Sequence, residues 1–312
     1  MSAPWLSPPG SQSFLQRNAH WHEVLNPSVL LASHAEIQKS KSLLEALGPR
    51  NTEQKADEQK VIEAAKLCEA SVHPDSSQVL PLLFRPPAYL FLGAPLAVTA
   101  LFPHRTVASA FLFQLPFQTY NAGFTLVHRN RSLQEGKSQH PLYLSASIVY
   151  LSCMGAAPAL AMKRLGIRSP ASHIFFGRIL PTPLYALLGG LSVLLMRYPE
   201  VEQEVQVVDQ EGNVVGTSNK AAQKAVQETA LSRAALLGVT ALIPSLMSRS
   251  HMMKNPRMFT LLNHLAALIA FAMMVPLSFS LFPQKGSIRR DDLEEELKER
   301  TKEEMLFYNR GL

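Results

Sequence analysis

The chain has 312 residues, of which 47% are hydrophobic and 17% are charged, and its formal net charge is +6 at pH 7. The basic residues lie singly at the ends of apolar runs rather than in one cluster, which argues against a nucleic-acid-binding face. Its two cysteines, Cys68 and Cys153, have neither the spacing of a zinc site nor the number that a disulfide framework needs. The sequence contains no phosphate loop, nucleotide fingerprint, nucleophile elbow or paired zinc-ligand motif, so it does not indicate an enzyme, a cofactor or a metal site.

The first 80 residues are mostly polar and predict a small helical region that faces water. Ser33 and Glu36 form a capping box at the start of one helix, and Gly48-Pro49 ends that helix. Apolar residues at helical spacing predict a second helix from about Thr52 to Val72. His73-Pro74-Asp75 then breaks the helical pattern. The triplet could supply a ligand or a proton acceptor, but a turn is the favoured interpretation.

Apolar runs dominate residues 81–284, and the strongest is Met258–Phe282, which contains no Asp, Glu, Lys or Arg. A helix needs about 20 apolar residues to cross a bilayer, and this run is long enough. The alternative is a buried helix of a large soluble core, but similar runs recur upstream. The other runs are Ala88–Phe102, Thr106–Val127, Pro141–Met162 and Ile174–Met196. The sequence therefore predicts an all-α multi-pass membrane protein with about five transmembrane helices, embedded in the lipid bilayer.

Three amide side chains, Gln114, Gln118 and Asn121, lie inside the second apolar run. Uncompensated amides are costly in hydrocarbon, so they should face other helices or a wet cavity. Two interpretations remain open, a pathway for a small solute and interhelical hydrogen bonds that serve packing alone. His264, inside the last run, is a further candidate contact on such a pathway, or else a neutral histidine hydrogen-bonded to a neighbouring helix.

The fourth run has the composition of a broken helix. Pro181 and Pro183 interrupt its first part, and Gly189-Gly190 lies in its interior. In transporters, proline and glycine inside a span often mark a discontinuous helix near the binding site. Ala234–Met247, which contains Pro244, is too short to span unless Ala230–Ser232 join it, so the sequence favours a re-entrant or broken insertion.

Two stretches are predicted to lie outside the bilayer. The first, at about 197–233, has alternating valines around a turn at Asp209–Asn213, which predicts a small β-hairpin, and then a polar helix at Asn219–Arg233. The second is a charged tail, 285–312, in which Asp291–Glu304 predicts a solvated helix. The apolar end of this tail, FYNRGL, could dock back on the protein. The predicted domains are therefore a soluble region at 1–80, a transmembrane domain at 81–284 and the tail.

Short landmarks spread over nearly the whole chain resemble the sideroflexin family. They are His73-Pro74-Asp75, Phe84-Arg85-Pro86, Asn121-Ala122, Arg129-Asn130, Met196-Arg197-Tyr198, Glu228-Thr229-Ala230, Ser232-Arg233, Leu281–Gln284 and Tyr308–Leu312. The resemblance implies a mitochondrial inner-membrane protein with about five spans that carries small neutral amino acids such as serine and is linked to iron homeostasis. It makes His73, Pro74 and Asp75 a family signature without a stated role, although Ser76-Ser77-Gln78 follows where typical members have Thr-Gly-Glu.

The chain resembles a divergent member of that family, because several polar residues of the spans are replaced. Thr125, Leu126 and His128 stand where typical members have asparagine, tyrosine and asparagine, and Gly189 and Ser192 stand where they have asparagines. A site that hydrogen-bonds its substrate loses much affinity when such groups are replaced. We therefore expect a carrier of an amino acid or a similar small metabolite other than serine.

A function of a different class is also open, that of an interaction protein that kept the membrane scaffold and lost transport. The resemblance then implies a role with respiratory complex I assembly factors and in iron–sulfur or iron supply. The replaced asparagines favour this alternative, whereas the retained in-span amides and the Pro/Gly positions favour a carrier. No cluster of metal ligands is evident that would hold iron.

Overall fold

The structure is a computed structural model that describes residues 12–47, 55–102, 106–130, 141–166, 175–247 and 256–312, with the single positions 104, 169 and 172. Gly48-Pro49 and the predicted helix start at Thr52 lie outside the described residues. The description that follows is confined to these ranges.

The N-terminal region is helical, as predicted. It comprises α1 (Phe14–Val24), a 3₁₀ turn at Pro27–Leu31, α2 (His34–Leu47) and α3 (Lys55–Ser71). The capping box at the start of α2 is confirmed. The N–H of Ser33 donates to Oε2 of Glu36 at 2.7 Å, and the N–H of Glu36 donates to Oγ of Ser33 at 3.2 Å. These two bonds satisfy backbone donors that would otherwise be unpaired at the helix start.

The apolar part of the chain forms six longer helices in the described residues. They are α4 (Pro86–Leu101, with a π-helical turn at Tyr89–Gly93), α5 (Val107–Val127), α6 (Pro141–Arg164), α7 (Pro181–Gln203), α8 (Asn219–Met247) and α9 (Pro256–Ser280). The α7 and α8 helices form the most extensive helix pair of the fold, and α9 packs beside α8.

Three of the described helices are long and apolar enough to cross a membrane, namely Pro141–Arg164, Asn219–Leu246 and Arg257–Ser280. In the most apolar 18-residue segment of Arg257–Ser280, only 22% of the residues are buried inside the protein. Its outer face exposes Leu261, Leu265, Ile269 and Met273. A contiguous apolar surface of this kind is unfavourable in water and suits a hydrocarbon environment. The multi-pass prediction is supported to this extent, and a total of five spans stays a prediction.

One predicted interruption of a helix, at Ala234–Met247, is wrong. The α8 helix runs without a break through Ala234 and contains Pro244, so the polar helix and the re-entrant segment are one helix of 29 residues. In α7, Pro181 and Pro183 lie in the first turn, where a missing backbone N–H costs nothing because that donor has no intrahelical acceptor. A π-helical turn, Phe175–Ile179, precedes that first turn.

Gly189 and Gly190 lie inside the unbroken α7 helix, so they do not divide it. Their small size serves the contact with α8 instead. A Cβ atom added at Gly189 would lie 2.6 Å from the carbonyl oxygen of Arg233. Glycine at this position therefore lets the two helix backbones approach, as small residues do in membrane helix pairs.

A four-stranded antiparallel sheet lies at one end of α8. The predicted hairpin is confirmed as β1 (Val205–Val208) and β2 (Val214–Ser218). The sheet order is β2-β1-β4-β3, with β3 at Lys285–Arg289 and β4 at Met305–Asn309. The residues that were predicted as a charged tail therefore complete this sheet.

The prediction of one solvated helix at Asp291–Glu304 is wrong. Only Glu295–Arg300 forms an α-helix, α10, and Leu293 and Leu297 are buried in the core under the sheet. The predicted docking of the chain end is confirmed, because β4 pairs with both β1 and β3 and Leu312 is buried.

Candidate functional site

The inner face of α5 carries a stripe of buried polar side chains. Gln114, Gln118, Asn121 and Thr125 are spaced four, three and four residues apart, which places them on one side of the helix. Each is at most 1% exposed. The structure thus brings three of the four predicted pathway residues together and adds Thr125 to them.

One end of the stripe is saturated with hydrogen bonds. Nε2 of Gln114 donates to the hydroxyl oxygen of Tyr185 at 2.7 Å and to the carbonyl of Ala100 at 3.1 Å. The Tyr185 hydroxyl donates to the same carbonyl at 2.6 Å. Gly155 of α6 makes room for the amide, since a Cβ there would lie 2.4 Å from it. This end fits the packing interpretation.

The other end of the stripe retains open hydrogen-bonding capacity. The hydroxyl of Tyr89 on α4 donates to Oδ1 of Asn121 at 3.0 Å, and Nδ2 of Asn121 donates to Oγ of Ser192 on α7 at 2.9 Å. By contrast, Oε1 of Gln118 and Oγ1 of Thr125 have no hydrogen-bond partner among the described residues. Buried polar atoms are usually paired, so unpaired ones can mark a site for a ligand or ordered water.

His264 does not join this stripe. Its ring stacks on Phe102 with 3.7 Å between ring centroids, and its Nδ1 lies 2.7 Å from the carbonyl oxygen of Thr260 in its own helix. The side chain is partly exposed on α9. Its geometry matches a local contact rather than a shared site with the α5 amides.

Buried arginines next to the stripe were not predicted as site residues. The first, Arg197 of α7, is fully paired: its Nε and Nη2 donate to the two carboxylate oxygens of Glu200 at 2.7 Å each. Its Nη1 donates to Oγ1 of Thr229 at 3.0 Å, and Nη2 also donates to the carbonyl of Arg310 at 2.7 Å. We call Arg197, Glu200, Thr229 and the Arg310 carbonyl the arginine junction, since it joins α7, α8 and the chain end.

The second buried arginine, Arg233 of α8, lies in a different setting. Its guanidinium carbon is 4.8 Å from the ring centroid of Tyr89, 5.1 Å from that of Phe124 and 4.8 Å from that of Phe279. Both terminal nitrogens lack a hydrogen-bond partner among the described residues, although the side chain is only 2% exposed. We call these four residues the aromatic box. Sequence analysis marked Ser232-Arg233 as a family landmark but did not select Arg233 as a site residue, because it ends a stretch that was predicted as a polar helix outside the bilayer.

The third buried arginine, Arg310, follows β4. Its Nη2 donates to the carbonyl of Phe279 at 3.1 Å, and Glu228 is its carboxylate neighbour. Burial lowers the pKa of Arg310 to about 10, so the group stays charged at neutral pH.

A cavity of about 340 Å³ lies between the N-terminal helices, the His73-Pro74-Asp75 turn and the chain end. Trp21, His73, His128 and Gly311 are among its lining residues. On its wall, His20 lies 2.6 Å from Glu69. Burial opposes protonation of His20, but the hydrogen bond and charge of Glu69 outweigh it, so the pKa of His20 is raised.

The His73-Pro74-Asp75 signature forms the predicted turn. Nδ1 of His73 accepts from the N–H groups of Asp75 at 3.2 Å and Ser76 at 3.3 Å. Its Nε2 lies 2.9 Å from the carbonyl of Arg129, and Asp75 accepts from the Asn309 amide at 2.8 Å. The signature thus connects the end of α3 to the end of α5 and to β4. No group of three potential metal ligands occurs in the described part of the chain.

Comparison with known proteins identifies the family of the chain. The family model described as Sideroflexins matches residues 10–312. The chain is 37% identical to Sideroflexin-4 of Danio rerio over 96% of both chains, and 36% identical to Sideroflexin-4 of Bos taurus over the same shares. It is 30% identical to Sideroflexin-5 of Homo sapiens, over 96% of this chain and 90% of the relative. No solved structure matches it. The chain therefore belongs to the sideroflexin family.

Proposed function

We propose that this protein is a multi-pass carrier of a small neutral amino acid, or of a metabolite like it, in the mitochondrial inner membrane, and that serine is not its substrate. Membership of the sideroflexin family supports a membrane transporter-like role, and the apolar helices point to a membrane protein. The location and the amino-acid class follow from what the resemblance implies. The exclusion of serine follows from Thr125, His128, Gly189 and Ser192, which replace the polar residues typical of the family.

The observation that supports a carrier best is the open end of the α5 stripe. A carrier must offer a solute polar partners at a depth where lipid offers none. Oε1 of Gln118 and Oγ1 of Thr125 are buried acceptors without donors in the described residues, one turn to either side of Asn121. An ammonium group of a bound solute would supply donors to acceptors of this kind.

Uptake by proteoliposomes that contain the purified full chain tests this proposal. A panel of labelled neutral amino acids should include at least one that accumulates. Asn121→Leu should abolish its uptake, because Asn121 joins Tyr89 to Ser192 at the centre of the stripe. Thr119→Val is the matched control, since Thr119 lies on the exposed face of α5 and its hydroxyl bonds only to its own helix. Equal loss of uptake in both variants would contradict the proposed site.

The alternative, a non-transporting factor that supports complex I assembly and iron supply, is favoured by a different observation. The cavity beside the saturated end of the stripe, lined by Gly155 and Tyr185, has a volume of about 40 Å³. This volume holds no more than a few water molecules. The assembly role replaces the carrier if no solute in a broad panel is taken up and deletion of the gene lowers the amount of complex I. Expression of the Asn121→Leu variant in the deleted cells should then restore complex I.

A further inference from the structure

The buried charges around the three arginines do not balance. Arg197, Arg233 and Arg310 are each at most 2% exposed. Two carboxylates of the described residues interact with this group, Glu200 through a bidentate pair with Arg197 and Glu228 with Arg310. One positive charge is left over, and it lies on Arg233, for which the described residues supply no ion pair.

An unpaired buried guanidinium is a costly group for a protein to keep. The desolvation of an ion is repaid only by good ion-pair geometry and hydrogen bonds. Three aromatic rings offset part of this cost through cation–π contacts with Arg233. They leave both terminal nitrogens without an acceptor. The Tyr89 hydroxyl, whose proton is directed to Asn121, can offer its oxygen to one N–H of Arg233, but this neutral acceptor does not balance the charge of the guanidinium.

We propose that Arg233 is the binding centre for the carboxylate of the carried solute, an inference that rests on the carrier function proposed above. The two free terminal nitrogens are the pair of donors that a guanidinium uses in bidentate recognition of a carboxylate. One carboxylate also supplies the single negative charge that the cluster lacks. The polar stripe adjoins this centre, since Tyr89 contacts Arg233 through its ring and Asn121 through its hydroxyl.

The large cavity lies one layer of rings away from Arg233. Trp21 and His128 line the cavity. Trp21 packs edge-on against Phe279 with 5.0 Å between centroids, and His128 packs on Phe124 with 4.3 Å between centroids. Phe124 and Phe279 are walls of the aromatic box. Rotation of these rings gives a solute in the cavity access to Arg233, and their return encloses it.

Ligand-dependent thermal unfolding of the full chain in detergent tests this assignment at fixed ionic strength. The probes are alanine, propionate (a carboxylate without an amine), ethylamine (an amine without a carboxylate) and sodium chloride. Alanine and propionate should raise the unfolding temperature, whereas ethylamine and chloride should not. Protection by chloride equal to that by propionate would overturn the carboxylate assignment in favour of a general anion effect.

Arg233→Met provides the decisive variant. In this variant, the propionate concentration that gives half of the maximal rise in unfolding temperature should increase roughly tenfold or more. The reason is that the charge-assisted hydrogen bonds between the guanidinium and the carboxylate are lost. The unfolding temperature of the variant without ligand should equal or exceed that of the wild type, since no described carboxylate loses a partner. Arg289→Met removes the same charge from an exposed position of β3 and should leave protection unchanged. Arg233→Lys keeps the charge but not the planar fork and should give intermediate protection.

Two results would overturn the inference. One is protection of Arg233→Met by propionate at the wild-type concentration. The other is failure of Arg233→Met to fold without ligand, which would make Arg233 a structural cation. The binding assay does not depend on transport. If protection requires Arg233 but no solute is taken up, Arg233 remains a carboxylate-binding residue and the carrier function is removed. If Arg233→Met leaves uptake unchanged, the carrier function remains and the role of Arg233 is removed.

Discussion

The arginine junction and the aromatic box contain the same chemical group in opposite circumstances. Arg197 and Arg233 lie on the paired helices α7 and α8, and both are buried. Arg197 makes four hydrogen bonds, two of them to the carboxylate of Glu200, whereas the terminal nitrogens of Arg233 make none with described residues. The first arrangement stabilises the folded state, and the second leaves an interaction available for something outside the chain.

The difference extends to the polar groups around each arginine. At the junction, Thr229 accepts from Arg197 at 3.0 Å and donates to the carbonyl of Ala225 at 2.9 Å. Near the box, Thr125 is fully buried and its hydroxyl has no partner in the described residues. Because buried hydrogen-bonding capacity is costly to leave unmet, stability measurements can distinguish the two regions.

The largest expected effect comes from Arg197→Met. This substitution leaves the carboxylate of Glu200 buried and without its cation. We expect a loss of about 3–5 kcal/mol in the free energy of unfolding, the usual effect of breaking a buried ion pair. Chemical unfolding in detergent micelles measures it. The double variant Arg197→Met/Glu200→Leu should recover much of the loss, and a double variant as unstable as the single one would contradict this explanation.

A pair of threonine substitutions compares the two regions directly. Thr229→Val removes a hydroxyl that is bonded in both directions, one bond being to a charged donor, and should cost about 1.5–3 kcal/mol of unfolding free energy. Thr125→Val removes an unpartnered hydroxyl of the same size from an equally buried position. It should leave stability unchanged or raise it. Equal destabilisation by both variants would mean that Thr125 has a partner in the folded protein.

Two adjacent glycines of α7, Gly189 and Gly190, differ in the space between them and α8, close to Arg233. A Cβ at Gly189 would lie 2.6 Å from the Arg233 carbonyl oxygen, whereas the nearest atom to a Cβ at Gly190 is 3.4 Å away. Gly189→Ala must separate α7 from α8 and should cost about 1–3 kcal/mol. Gly190→Ala meets ordinary contact distances and should gain up to about 1 kcal/mol from helix propensity. Thermal unfolding of the two variants under identical conditions gives the sign for each.

The fold features that could be predicted from sequence are those encoded by neighbouring residues. The apolar runs, the capping box at Ser33 and the hairpin depend on local spacing, and the structure has all three. Pairing of β1 with β4 joins Val207 to Tyr308, and no local pattern encodes such a distant contact. The dense charge around Leu293 and Leu297 also hid the spacing that buries these two side chains under the sheet.

The candidate site divides in the same way. Amides are conspicuous inside an apolar run, so Gln114, Gln118 and Asn121 could be selected without a structure. Arg233 could not be selected, because it ends a stretch that was predicted as a polar helix outside the bilayer. Its partners Tyr89 and Phe279 come from helices far away in the chain. Only its tertiary contacts with these aromatic rings distinguish Arg233 from a surface arginine.

The smallest effect expected comes from the turn that follows the family signature, where Ser77 has a φ of +52°. This left-handed conformation strains residues with a Cβ by about 1 kcal/mol, whereas glycine adopts it freely. By the resemblance described above, typical members of the family have glycine at the position of Ser77. Ser77→Gly should therefore raise the unfolding free energy by about 1 kcal/mol, measured by chemical unfolding. Ser77→Ala keeps the strain and should give no gain. A gain in Ser77→Ala equal to that in Ser77→Gly would attribute the effect to the lost hydroxyl rather than to the backbone.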